Sequence, residues 1–103
     1  TAHGAYKLPP KLDFERIREI AEKVSVPLVL HGGSGLSDSD FRKAIQEGIS
    51  KINIFTDLNT AGAVSAYEML CASDRRELTA LIPAVTESVK AATLKKIRLF
   101  TGR

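Results

Sequence analysis

Two histidines, His3 and His31, each close a strand-like segment, and each is followed at once by glycine. Neutral imidazole is the commonest side-chain metal ligand, and zinc in a catalytic site takes three protein ligands with one position left open. Two such ligands can be counted here; for either histidine taken singly, a packed or capping role is the plainer alternative. The run His31-Gly32-Gly33-Ser34-Gly35 is the second feature. Glycines let the backbone approach an anion with free N–H groups pointing at it, although a loop can also need glycine only for turning. The run matches neither the Walker A pattern nor the dinucleotide fingerprint. The third feature is Asn53-Ile54-Phe55-Thr56-Asp57, whose Asn and Thr offer neutral hydrogen bonds to a phosphate or a sugar hydroxyl. Residues that merely start a helix are the equal alternative.

The elements between these features alternate. From Asp13 to Val24, apolar Phe14, Ile17, Ile20, Ala21 and Val24 recur at helical spacing, with Asp13 as the natural N-cap. Val26 to Leu30 is a continuous apolar run, predicting a strand buried on both faces as in a parallel sheet. Ser37 with Asp40 three residues on predicts the next helix start, and Gly48 its left-handed end. Ile49 to Phe55 reads as another strand, with Asp57 or Asn59 opening a helix that runs through Ala63, Val64, Tyr67 and Leu70. A last helix is predicted over Leu81 to Phe100, with Val85, Val89, Ala92, Leu94, Ile97 and Phe100 inward and Pro83 in its first turn. Cys71 is expected to be a buried structural thiol.

Strand–helix alternation with short connections predicts an α/β fold with a parallel sheet. The strand ends His3, His31 and Asn53 fall 28 and 22 residues apart, about one period of an α/β barrel in which eight units take ~250 residues. By that arithmetic the 103 residues supply about three βα units plus a terminal helix of a TIM (β/α)8 barrel, and residues 1–103 read as the C-terminal part of one barrel domain. Barrel active sites lie at the C-terminal ends of the strands, with phosphate sites common at the last two.

Composition narrows the classes. No apolar run approaches the ~20 residues of a membrane helix, and the N-terminus has no secretory signal pattern. One cysteine excludes a disulfide framework and suits a reducing, cytoplasmic setting. The net charge of +3 is spread over fifteen basic and twelve acidic residues. Nucleic acid is possible on charge alone, but no basic stripe interleaved with aromatics supports it, and small anions fit at least as well.

Taken in order, four stretches resemble the class II, zinc-dependent fructose/tagatose-bisphosphate aldolase family: Thr1 to Lys7, Lys11 to Phe14, Leu28 to Gly35 and Lys51 to Thr56. The ending Lys95 to Phe100 is similar to the family's last helix, and the short interval between the histidines resembles the tagatose-bisphosphate branch. The resemblance implies that His3 and His31 are two of three zinc ligands, with a monovalent cation, Na+ or K+, as a further ion. It implies that Gly4, Gly32, Gly33 and Ser34 surround a dihydroxyacetone phosphate moiety, and that Asn53, Ile54, Phe55 and Thr56 complete the pocket. The implied reaction is reversible aldol cleavage of a ketose 1,6-bisphosphate by a homo-oligomer, dimer or tetramer, with no membrane or nucleic-acid partner. The family's third zinc-binding histidine and catalytic aspartate belong to earlier strands, so these residues alone are expected to be inactive. Phe55 stands where fructose-type enzymes carry Asp and tagatose types commonly a small residue. No lysine stands out as a Schiff-base former. The alternatives are a phosphosugar-binding relic and a metal-independent phosphate-binding barrel enzyme.

Overall fold

A computed structural model describes residues 11–72, 74 and 77–102. The expected first strand, ending at His3, lies outside these. The order of elements is α1 (Phe14–Lys23), β1 (Leu28–Leu30), α2 (Asp38–Gln46), β2 (Ile49–Ile52), α3 (Thr56–Ala72) and α4 (Leu78–Thr101). It is the alternation that the sequence predicts.

Local chemistry sets the helix starts. The Asp13 carboxylate accepts from the Arg16 N–H at 3.0 Å, capping α1. Ser37 and Asp40 close a reciprocal capping box at the start of α2. Gly48 has φ +115°, the conformation expected of the residue that ends this helix. Strands β1 and β2 pair in parallel with Leu28 opposite Ile49, Val29 opposite Lys51 and Leu30 opposite Ile52. The register shifts after the first pair, leaving Ser50 as the extra residue of a bulge. A further backbone bond, Asn53 N–H to the Leu30 carbonyl at 3.0 Å, carries the pairing to the strand ends.

Leu30, Leu36, Phe41, Ala44, Ile49 and Leu99 form the core, with Phe14, Ile17, Ile54 and Phe100 packed against it. Phe41 is fully buried and meets Phe100 in a tilted ring contact at 5.2 Å. The Arg18 guanidinium grips the Glu47 carboxylate through two bonds, at 2.6 and 2.8 Å, and so fastens α1 to the end of α2.

Six expectations need correction. The strands are shorter than the apolar runs, because Val26 and Pro27 precede the ladder and Asn53 to Phe55 turn out of it. Strand β1 is covered on one face among the described residues, and Val29 is exposed on the other. Helix α3 opens at Thr56, ahead of Asp57. Helix α4 begins at Leu78, which puts Pro83 inside the helix rather than in its first turn. There the missing N–H forgoes a ladder bond, and packing on α3 has to offset that loss. Its inward face also differs. Leu94 and Ile97 are exposed and Leu99 is buried, while Lys96 takes a half-buried place because its ammonium finds Asp57 at 2.7 Å. Finally, Cys71 is exposed. Among the described residues, no helix is long and apolar enough to cross a membrane.

Candidate active site

The two strand ends and the loops that leave them enclose an open cleft of about 700 Å³. His31, Gly32, Ser34, Asn53, Ile54, Phe55 and Thr56 all line it, joined by Ile52. Residues 22 apart in sequence meet here because β1 and β2 are adjacent and parallel. The bulge decides which residues face one another. Continuing the shifted register past Leu30 and Ile52 sets His31 opposite Asn53, whereas unbroken pairing from Leu28 and Ile49 would have set it opposite Ile52.

The Asn53 side-chain amide nitrogen lies 3.0 Å from His31 Nδ1. Lys51, two residues back on the same strand face, donates its ammonium to Asn53 Oδ1. A lysine can only donate, so the Asn53 carbonyl must face it and the amide NH2 must face the imidazole. Nδ1 is then the accepting nitrogen of His31. Lys51 was not foreseen in the sequence; its signal was the i, i+2 spacing from Asn53, which places both side chains on one face of a strand.

The glycine loop divides its labour. Gly32 and Gly35 have φ +69° and +86°, in the left-handed region. Gly33 does not line the cleft; it is buried beneath it. A Cβ at Gly33 would lie 2.7 Å from Phe41 Cε1 and 3.2 Å from Ile54 Cδ1, so the position admits no side chain. Its glycine is therefore needed for packing, while Gly32 and Ser34 line the cleft. On the opposite wall, the first turn of α3 begins at Thr56, and its N-terminal end favours negative charge in the cleft. Phe55 presents an apolar ring there, 74% exposed.

His31 has the donor chemistry for zinc, with a lone pair at Nδ1 that a cation could take in place of the Asn53 amide. Among the described residues, no group of three or more His, Cys, Asp and Glu side chains could hold a metal ion. His3 and Gly4 lie outside the described residues. What the described arrangement can do is receive an anionic, hydroxylated ligand between a glycine loop and a helix N-terminus, beside one oriented imidazole.

The family described as fructose-bisphosphate aldolase class-II matches over residues 1–103. YdjI of Escherichia coli K12, described as uncharacterised, is 44% identical over 98 residues, covering 95% of this chain and 34% of YdjI. The crystal structure of the YdjI aldolase superposes with a TM-score of 0.81 at 45% identity, over 88% of this chain and 34% of that one. A candidate fructose-1,6-bisphosphate aldolase from Coccidioides immitis gives a TM-score of 0.84 at 30% identity, over 96% of this chain and 34% of its own. The chain thus spans about a third of the length of these relatives.

Proposed function

The chain belongs to the class-II fructose-bisphosphate aldolase family, and from that membership we propose that it forms the C-terminal part of a (β/α)8 barrel enzyme catalysing reversible aldol cleavage of a ketose 1,6-bisphosphate. The products would be dihydroxyacetone phosphate and glyceraldehyde 3-phosphate, with tagatose or fructose bisphosphate as the substrate. The observation that carries the reading is the meeting of His31, the Gly32–Ser34 loop and the Asn53–Thr56 segment in one cleft at the ends of adjacent parallel strands. Barrel enzymes work at that face.

Each residue has a role in this reading. His31, with His3, would hold zinc. When bound, zinc supplies Lewis-acid polarisation of the substrate carbonyl and stabilises developing enediolate charge. The Gly32 amide and the Ser34 hydroxyl donate to the phosphate of the dihydroxyacetone half, and the α3 N-terminus with Thr56 adds donors from the opposite wall. Asn53, whose amide His31 Nδ1 gives up on taking the metal, would offer that amide to the substrate oxygens. Phosphate binding at a distance from the reacting carbons fixes their orientation. Phe55 walls the cleft with an apolar surface and discriminates among sugars by excluding hydrated groups from that side. The proton-transferring carboxylate and the third zinc ligand would come from other strands of the barrel. The reading carries with it a cytoplasmic homo-oligomer, and exposed Tyr67, Leu78 and Ile82 on the α3–α4 hairpin offer apolar surface for such contacts.

The test is a cleavage assay on fructose and tagatose 1,6-bisphosphates with a protein carrying the whole barrel, before and after chelation and with zinc restored. Turnover that disappears on chelation and returns with zinc supports the proposal. Turnover that persists through chelation would replace it with a metal-independent mechanism, and phosphosugar binding without turnover would replace it with a binding relic.

A further inference from the structure

Lys96 is a half-buried cation that the cleft chemistry leaves without a task. Its ammonium lies 2.7 Å from the Asp57 carboxylate, and 18% of its side chain is exposed. The same ammonium stands 4.8 Å from the centroid of the Phe41 ring, a distance at which the ring face attracts a cation. These two partners serve different walls of the cleft. Asp57 follows Thr56 directly in the first turn of α3. Phe41 is fully buried, and its ring edge is the surface on which Gly33 rests. Phe100, one turn further along α4, packs against the same ring.

We propose that Lys96 is a positioning residue for the cleft, joining the Asn53–Thr56 wall to the glycine loop through Asp57 on one side and Phe41 on the other. Helix α4 contributes no side chain to the described cleft lining, yet this ammonium meets a partner on each wall, and Phe100 of the same helix supports the Phe41 side. A fully exposed ion pair would hold little. This one is largely withdrawn from water on the lysine side. The ligand named for these walls rests on the aldolase reading; the coupling between them does not.

The experiment compares Lys96→Met, which keeps a stem over Phe41 and removes the charge, with Asp57→Asn and with the conservative Lys96→Arg, each in a protein carrying the whole barrel. Amide hydrogen exchange is followed at residues 32–36 and 55–59, with α1 as the internal reference. Lys96→Met and Asp57→Asn are each expected to speed exchange in both segments by about tenfold and leave α1 unchanged, while Lys96→Arg stays near the parent. In steady-state assays on fructose and tagatose 1,6-bisphosphates, KM is expected to rise about tenfold with kcat much less affected, as loosened phosphate positioning requires. Faster exchange confined to α4 or to a single wall, or an unchanged KM in a protein that turns over, overturns the proposal. Absence of turnover by the parent protein would count against the aldolase reading alone, because the exchange comparison still decides the role of Lys96. Should Lys96→Met fail to fold, Asp57→Asn decides it by the same readings.

Discussion

The Asn53 amide donates to His31 Nδ1 across 3.0 Å, linking the ends of two parallel strands at the floor of the cleft. The contact uses the imidazole nitrogen that accepts, and Lys51 fixes the amide so that its NH2 faces the ring. Asn53 is therefore both a wall of the cleft and the orienter of the histidine.

Replacing Asn53 with Ala should separate orientation from folding. The change removes one hydrogen-bond donor beside developing charge, a loss of about 100-fold in kcat. Zinc content measured by atomic absorption should persist, since His31 itself stays in place. A kcat within a few-fold of the parent would show that Asn53 only caps the strand.

His31 and Ser34 should fail in different ways. His31→Ala is expected to lose bound zinc and with it all turnover. Ser34→Ala is expected to keep zinc and raise KM for the phosphorylated substrate about tenfold, the scale of one hydrogen bond to a charged group. Equal, small effects of both substitutions on metal content and KM would contradict the assigned roles.

Gly33→Ala tests packing beneath the loop. Its Cβ would meet the Phe41 ring at 2.7 Å, and Phe41 is fully buried with Phe100 behind it. Overpacking of this kind costs about 1–3 kcal/mol, read as a lower urea midpoint. Phe41→Ala should cost more, about 3–5 kcal/mol. A neutral Gly33→Ala would mean that the ring has room to move.

Acid should release α1 from α2. The Arg18 guanidinium, hydrogen-bonded to the Glu47 carboxylate, holds Glu47 below its ordinary value of 4.5 and raises Arg18. A depressed folded-state value means that the unfolded chain takes up the proton first. The pair's contribution is therefore complete above pH 4.5 and is lost as pH falls through the lowered value of Glu47. Urea midpoints of the parent and Glu47→Gln, measured from pH 7 down to 3, should converge at the acid end. A constant difference across that range would contradict the linkage.

Much of this molecule is written locally. Asp13, Ser37 with Asp40, and Gly48 mark helix ends because capping depends on residues within a few positions of one another. The apolar run before His31 and the strand before Asn53 were legible for the same reason, as was the ordered set of stretches that carries the family likeness. The inward face of α4 was not. Periodicity placed Leu94 and Ile97 inside, whereas the helix turns Lys96 and Leu99 toward its neighbours. A lysine becomes an inward residue only when another element supplies its counter-charge, and Asp57 lies in a different helix.

The sequence by itself determined the element types, their order and which segments would meet at the strand ends. The tertiary structure alone decided how they meet. One extra residue at the β2 bulge sets His31 across from Asn53, and nothing in a strand's composition fixes pairing register to a single residue when the partner strand is remote. The same holds for Gly33, whose neighbours in sequence suggest an anion loop while its neighbours in space, Phe41 and Ile54, make it a packing glycine. Local propensities are set by adjacent residues, but register, counter-ions and close approach are set by whatever the fold brings to the other side.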